Sequence, residues 1–278
     1  MKPIVAIISP GAMGSAVAHC LTVNGIEVRT SLAGRSAATA GRAREAGMVA
    51  ATDEGLAETD IILSILPPGD ALALAQRLSP VLGRASRRPV YVDCNAVNPE
   101  TVGRIAEVIA ATDCAFVDGG IIGGPPKPGS RATKIYLSGP AAERVAVLEQ
   151  YGLVMPVLPG AVGVASAMKM SYAGITKGFT ALGSMMMLAA TRGGTAEFLR
   201  RELEASQPQL LAWLTRGTQN MFSKAYRWVA EMEEIAGFTG EDAAAGQLFD
   251  AAARFYERVA EDYVGDHRET DALAAFCR

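Results

Sequence analysis

Between Pro3 and Leu158 the chain alternates short, continuous apolar runs with stretches of helical periodicity. Runs such as Asp60-Ile-Ile-Leu-Ser-Ile-Leu66 and Val90-Tyr-Val-Asp-Cys94 offer no polar face, so as strands they must be covered on both sides. The pattern predicts strands at 3–9, 26–33, 60–66, 90–94, 115–118, 134–138 and 153–158. Between them it predicts helices at 11–25, 36–47, 69–83, 98–111 and 140–151. Strands and helices in alternation specify right-handed crossovers and a doubly wound α/β sheet. Ligands of such sheets sit beyond the carboxyl ends of the strands.

The residues just after the strands are chemically coherent. The first strand runs into Ser9-Pro10-Gly11-Ala12-Met13-Gly14 and then a helix. This is the G-x-G-x-x-G turn of a Rossmann dinucleotide site, with Ser9 in place of the first glycine. Gly11 lets backbone approach a pyrophosphate, Gly14 lets helix pack on strand, and the helix N-terminus faces the anion. An NAD site would place an acid after the second strand to bond the ribose hydroxyls. Here Gly34-Arg35-Ser36 stands instead. A guanidinium and a hydroxyl suit a 2′-phosphate, so the expected cofactor is NADP(H). Leu66-Pro67-Pro68 and Asn95 follow later strands at the same end of the sheet, where the cofactor is expected.

From Ala161 to Gly194 runs a long apolar segment rich in alanine and methionine, without proline. Helical spacing puts Ser166, Lys169, Tyr172, Ala173 and Thr176 on one arc. Lys169 and Lys177 interrupt any membrane-spanning window. After Gly194 only helical patterns remain. The expected architecture is a Rossmann domain at 1–160 and an all-helical domain at 161–278, beginning with the interdomain helix at 161–194.

The formal charge is −3 and no basic block occurs, which argues against a nucleic-acid partner. The four cysteines form no CxxC pair and the chain has only two histidines, so no metal site is expected. Free thiols and the lack of a cleavable leader pattern point to the cytoplasm.

These motifs, in this order, resemble the 6-phosphogluconate dehydrogenase and β-hydroxyacid dehydrogenase superfamily. The resemblance covers the turn ending in Met13-Gly14, Gly34-Arg35-Ser36, Leu66-Pro67-Pro68, Asp118 to Gly124, and the long helix with its lysine. The helical region around Ala225 to Ala236 is similar to a less characterised, phosphogluconate-dehydrogenase-like branch. The resemblance implies that Lys169 is the general acid/base and that Asn95 lies at the nicotinamide and substrate. It further implies that the loop at Ile122, Gly123 and Gly124 holds a substrate anion.

The chain departs from the family pattern at several points. Ile122 stands where the family's Asp-Ala-Pro-Val-Ser-Gly-Gly loop has serine, and Tyr172 and Ala173 replace paired asparagines. The site is therefore more apolar than that of the small-hydroxyacid enzymes. True phosphogluconate dehydrogenases are much longer, which argues against phosphogluconate as substrate. Tyr172 and Arg227, the latter beside Tyr226 and one turn before Glu231, are the expected substrate contacts on the helical side.

The function expected is NADP(H)-dependent hydride transfer to or from a small hydroxy or carbonyl substrate. Burial and a nearby nicotinamide cation lower a lysine's pKa, which would suit Lys169 to proton transfer. Imine reduction is an alternative, since related proteins of this architecture carry it. Retention of Lys169 favours carbonyl chemistry, while Tyr172 keeps the imine reading open. A nucleotide-binding protein without turnover is the third reading. The apolar central helix predicts a homodimer.

Overall fold

The computed structural model describes residues 2–278, which divide into two compact units between Lys169 and Met170. In the first unit β1 (Ile4–Ile8) leads to α1 (Ala12–Thr22), and β2 (Glu27–Thr30) to α2 (Ala37–Glu45). The two-residue β3 (Val49–Ala50) leads to α3 (Asp53–Ala57), β4 (Ile61–Ser64) to α4 (Ala71–Leu82), and β5 (Val90–Asp93) to α5 (Pro99–Ala110). β6 (Phe116–Ile122), β7 (Lys134–Ser138) and the short α6 (Ala142–Ala146) follow. One sheet results, in the order β3-β2-β1-β4-β5-β6-β7. All neighbours are parallel except β6 and β7. The order reverses between β1 and β4, the switch point at which a dinucleotide site forms.

Alternation along the strands sorts the core into two layers. Val5, Ile7, Leu63 and Val92 pack with Val17 and Leu21 of α1 on one side. Ala6, Ile8, Ile62 and Tyr91 pack with Leu74 and Leu78 of α4 and Ile105 of α5 on the other. Residues 153–158 differ from expectation. They run alongside β7, with Ile135 N–H donating to Val154 O (2.8 Å) and Leu158 N–H to Leu137 O (2.7 Å). Pro156 has no N–H to donate, and only an isolated bridge at Leu137–Val157 forms in place of a strand. The helix expected over 140–151 is α6 followed by a 3-10 turn at Val147–Tyr151.

A single helix of 29 residues, α7 (Val164–Arg192), begins in the first unit and continues into the second. There α8 (Ala196–Ser206), α9 (Pro208–Met221), α10 (Ala225–Thr239), α11 (Ala243–Val264) and α12 (Arg268–Phe276) follow it. The small residues of α7 have a steric purpose. A Cβ on Gly183 would lie 2.4 Å from Leu214 Cδ2 of α9, and one on Gly174 would lie 3.2 Å from Phe249 Cζ of α11. In turn, Gly217 of α9 packs on Thr180, where a Cβ would meet Oγ1 at 2.8 Å. Among the described residues no helix is long and apolar enough to cross a membrane.

Candidate active site

At the switch point the β1–α1 turn is closed by Gly11 N–H donating to Ser9 O (2.8 Å) and Ser15 N–H to Gly11 O (2.9 Å). Two of its glycines are needed for different reasons. A Cβ on Gly14 would sit 2.1 Å from Ser9 O, which backbone cannot yield, whereas Gly11 faces open space. No side chain caps α1, so its first N–H groups are left for a ligand. Open space beside a bare helix N-terminus fits a pyrophosphate.

Next to this turn, Gly34 adopts φ 69°, the left-handed region that glycine reaches without strain. Arg35 is exposed. Ser36 caps α2, accepting from Thr39 N–H at 3.3 Å. A second guanidinium, which sequence reading did not single out, belongs to the same corner. Arg42 donates from Nε to Pro10 O (3.3 Å) and from Nη2 to Thr39 Oγ1 (2.8 Å). Its helical spacing of three from Thr39, which meets the Ser36 cap, was the available signal. Leu66, Pro67 and Pro68 form the loop after β4, and the Leu66 N–H donates to Asn95 Oδ1 at 2.5 Å.

One row of buried polar residues crosses the carboxyl end of the sheet. Ser64 of β4 is in register with Asp93 of β5, Asp93 with Asp118 of β6, and Asp118 with Ser138 of β7. All four are at most 1% exposed. Asn95 ties the first pair, its Nδ2 donating to Ser64 Oγ and to Asp93 Oδ2, both at 2.8 Å. Its amide is thus committed within the protein, and the side chain is only 2% exposed. The structure makes Asn95 a brace between strand ends.

Asp118 ties the row to α7. Its Oδ2 accepts from Gly163 N–H (2.9 Å), Ser166 N–H (3.0 Å) and Ser138 Oγ (3.0 Å), and its Oδ1 accepts from Ser166 Oγ (2.7 Å). Ser138 Oγ in turn accepts from Ala165 N–H at 3.0 Å. Three N–H groups at the start of α7, which a helix cannot satisfy itself, are therefore capped by the sheet. A carboxylate there also opposes the helix dipole favourably.

Lys169, half-buried, lies one turn beyond this cap. A Cβ on Gly120 would meet Ala165 O at 2.8 Å and Lys169 Cβ at 3.3 Å, so glycine is what lets α7 lie against β6. Burial, then the neighbouring Asp118, push the Asp93 carboxyl up to about 7, while bonds from Asn95 and the Lys169 charge pull it down. Burial also raises the Cys94 thiol, leaving it a packed hydrophobe rather than a nucleophile. Sequence reading noted Asp118 only as part of a motif and passed over Asp93 and Ser138; no local pattern marks residues joined by register.

Ile122 is the last residue of β6 and pairs with Lys134 of β7, and Gly123, just beyond the strand, adopts φ 118°. Gly124 accepts from Thr133 Oγ1 at 2.5 Å and faces open space. Ser9 to Gly14, Gly34 to Ser36, Leu66 to Pro68, Asn95, Ile122 to Gly124 and Lys169 all belong to the first unit. Tyr172 and Arg227 belong to the helical unit. There Tyr172 is 51% exposed, and Arg227 stacks on its neighbour Tyr226, 5.6 Å from the ring centroid. Glu231 pairs with Lys177, not with Arg227.

A family model for the NAD binding domain of 6-phosphogluconate dehydrogenase matches residues 4–152, more than half of the chain. The chain belongs to the 6-phosphogluconate dehydrogenase-like superfamily. Residues 190–259 match a domain of unknown function, DUF1932. An uncharacterised 28.5 kDa protein of Methanothermus fervidus is 30% identical over 184 residues, 66% of this chain and 69% of that one. A solved conserved protein of unknown function, described as structurally similar to 3-hydroxyacid dehydrogenases, is 31% identical with a TM-score of 0.70. That match covers 94% of this chain and 97% of the other. The 3-hydroxyisobutyrate dehydrogenase of Mycobacterium tuberculosis shares the fold at 19% identity and a TM-score of 0.70, covering 99% of both chains. The chain thus has a hydroxyacid-dehydrogenase-like fold with a domain of the NAD(P)-binding type.

Proposed function

We propose that the protein is an NADPH-dependent oxidoreductase that interconverts a hydroxyl and a carbonyl group, with Lys169 as general acid/base. The supporting observation is the placement of Lys169. Gly120 gives α7 close approach to β6, and Asp118 and Ser138 cap the helix one turn before the lysine. The pyrophosphate would lie on the Gly11–Gly14 turn and the N-terminus of α1. The 2′-phosphate would be held by Arg35 and the Ser36 hydroxyl, with Arg42 beside them. When bound, the nicotinamide donates or accepts the hydride. In reduction the Lys169 ammonium gives its proton to the carbonyl oxygen; in oxidation its neutral amine takes the hydroxyl proton. Proton transfer of this kind contributes typically ~10² to 10⁴ in rate.

The protein acts as a homodimer in this reading. Tyr172, Ile175, Phe179, Leu182 and Met186 are each between 51% and 66% exposed and recur along α7 at spacings of three and four. That is the seam of a coiled-coil pair, which a second copy of the helix would cover.

The test is NADPH oxidation against a panel of aldehydes, keto acids and cyclic imines, with Lys169→Ala and Arg35→Ala beside the wild type. A Lys169→Ala rate at least ~100-fold lower is expected. Arg35→Ala should weaken NADPH about tenfold and leave NADH unchanged. A fully active Lys169→Ala variant, or turnover confined to imines, would overturn the carbonyl reading. Equal affinity for both cofactors in the wild type would remove the case for NADP.

A further inference from the structure

The helical unit contains an open cleft of about 330 Å³ formed by α7, α9 and α10, which shares only Tyr172 with the expected substrate contacts and the helix seam. Its walls carry Tyr172, Trp213 and Trp228. Its polar groups are Lys177, Arg216, Asn220 and the hydroxyls of Thr176 and Thr180, and no carboxylate lines it. Gly217 lets α9 settle against Thr180 of α7, which brings two of the walls together.

The two cations differ in state. Lys177 is neutralised by Glu231 and lies 5.1 Å above the Trp228 ring, which fixes the indole as one wall. Tyr256 packs edge-on against the same indole, with centroids 5.1 Å apart. The Arg216 guanidinium has no ion pair or hydrogen bond among the described residues. Positive charge is also in surplus around the cavity. Lys224 donates to Asn220, and burial, then Arg227 and Lys177, hold its ammonium below the ordinary lysine range.

An exposed guanidinium without a partner, beside aromatic walls of which Trp228 is held in place, has the chemistry to take a negative group attached to a flat apolar body. The guanidinium would grip a carboxylate with two parallel bonds, and the rings would cover the apolar part. The volume is at the small end for ligand sites, too small for a dinucleotide. We propose that this cavity is a binding site for a small aromatic or otherwise flat apolar carboxylate. Because Trp213, Arg216 and Trp228 fall within residues 190–259, the proposal gives the DUF1932 region a ligand-binding role.

Trp213 and Trp228 are the only tryptophans in the chain, so intrinsic fluorescence reports directly on the cavity. The full-length protein, without nucleotide, is titrated with phenyllactate, with lactate (a carboxylate lacking the ring) and with benzyl alcohol (a ring lacking the charge). Saturable quenching or a spectral shift is expected with phenyllactate, at least about tenfold tighter than with either control. Arg216→Gln, checked for native circular dichroism, should weaken phenyllactate about tenfold and leave benzyl alcohol unchanged. Both indole N–H resonances should move in nuclear magnetic resonance spectra. Absence of a saturable response, equal affinity for all three probes, or an unchanged Arg216→Gln titration would each overturn the proposal. No turnover enters the readout, so its failure is separate from failure of the Lys169 mechanism.

Discussion

Removing the Asp118 carboxylate tests how the lysine-bearing helix is held. In Asp118→Ala the Gly163 and Ser166 N–H groups lose their acceptor in a fully buried position, while the Ser138 and Ser166 hydroxyls can rotate toward other partners. Each orphaned backbone donor costs about 1–3 kcal/mol, and loss of the charge at the helix start adds up to ~2 kcal/mol. Relief of the buried charge's own desolvation offsets part of this. The net expectation is on the order of 3–5 kcal/mol, a large fraction of the usual ~5–15 kcal/mol.

Asp118→Asn should behave differently. Its amide oxygen can take the place of Oδ2 and keep three donors, and its NH₂ can donate to Ser166 Oγ, which reverses roles. Only charge assistance is lost, about 1–2 kcal/mol. Urea unfolding followed by circular dichroism, with midpoints compared at constant slope, measures both variants. If neither variant lowers the unfolding midpoint, the carboxylate is not what holds α7. If Asn costs as much as Ala, charge rather than the hydrogen-bond geometry is responsible.

Three further outcomes follow from the same geometry. Gly14→Ala places a methyl 2.1 Å from Ser9 O, so the turn must open; nucleotide affinity should fall at least tenfold with a lowered melting temperature, measured by calorimetry with and without NADPH. Asp93 holds its proton up to about pH 7 when folded but releases it near pH 4 when unfolded. Between those values the native state binds more protons, so stability should fall as pH rises, by on the order of 1 kcal/mol per pH unit, and level off above pH 7. Asp93→Asn should flatten that slope in urea titrations at several pH values; an unchanged slope would assign the proton elsewhere. Finally, Ile175→Glu with Leu182→Glu should convert a dimer to a monomer by light scattering at micromolar concentration, and a wild-type monomer would refute the seam.

Much of the fold could be read from local pattern, because continuous apolar runs and helical periodicity are properties of neighbouring residues. Strand–helix alternation announced the doubly wound sheet, and Pro10-Gly11-Ala12-Met13-Gly14 announced the dinucleotide turn because steric need for glycine is local. The superfamily was legible for the same reason. Residues 153–158 looked like a strand by apolarity, but a ladder requires a donor on alternate residues and Pro156 has none.

What tertiary structure alone decided lies in register and helix packing. Ser64, Asp93, Asp118 and Ser138 are separated by 20 or more residues in sequence and become one polar row only once strand order and register align them. That row commits Asn95 inward and caps the helix carrying Lys169. Likewise Trp213, Arg216, Trp228 and Lys177 have no shared sequence signature; they meet because small side chains allow α7, α9 and α10 to pack closely around a cavity. Composition and periodicity specify which faces must be buried. Which polar groups then meet depends on contacts between residues far apart in the chain, and those exist only in the folded state.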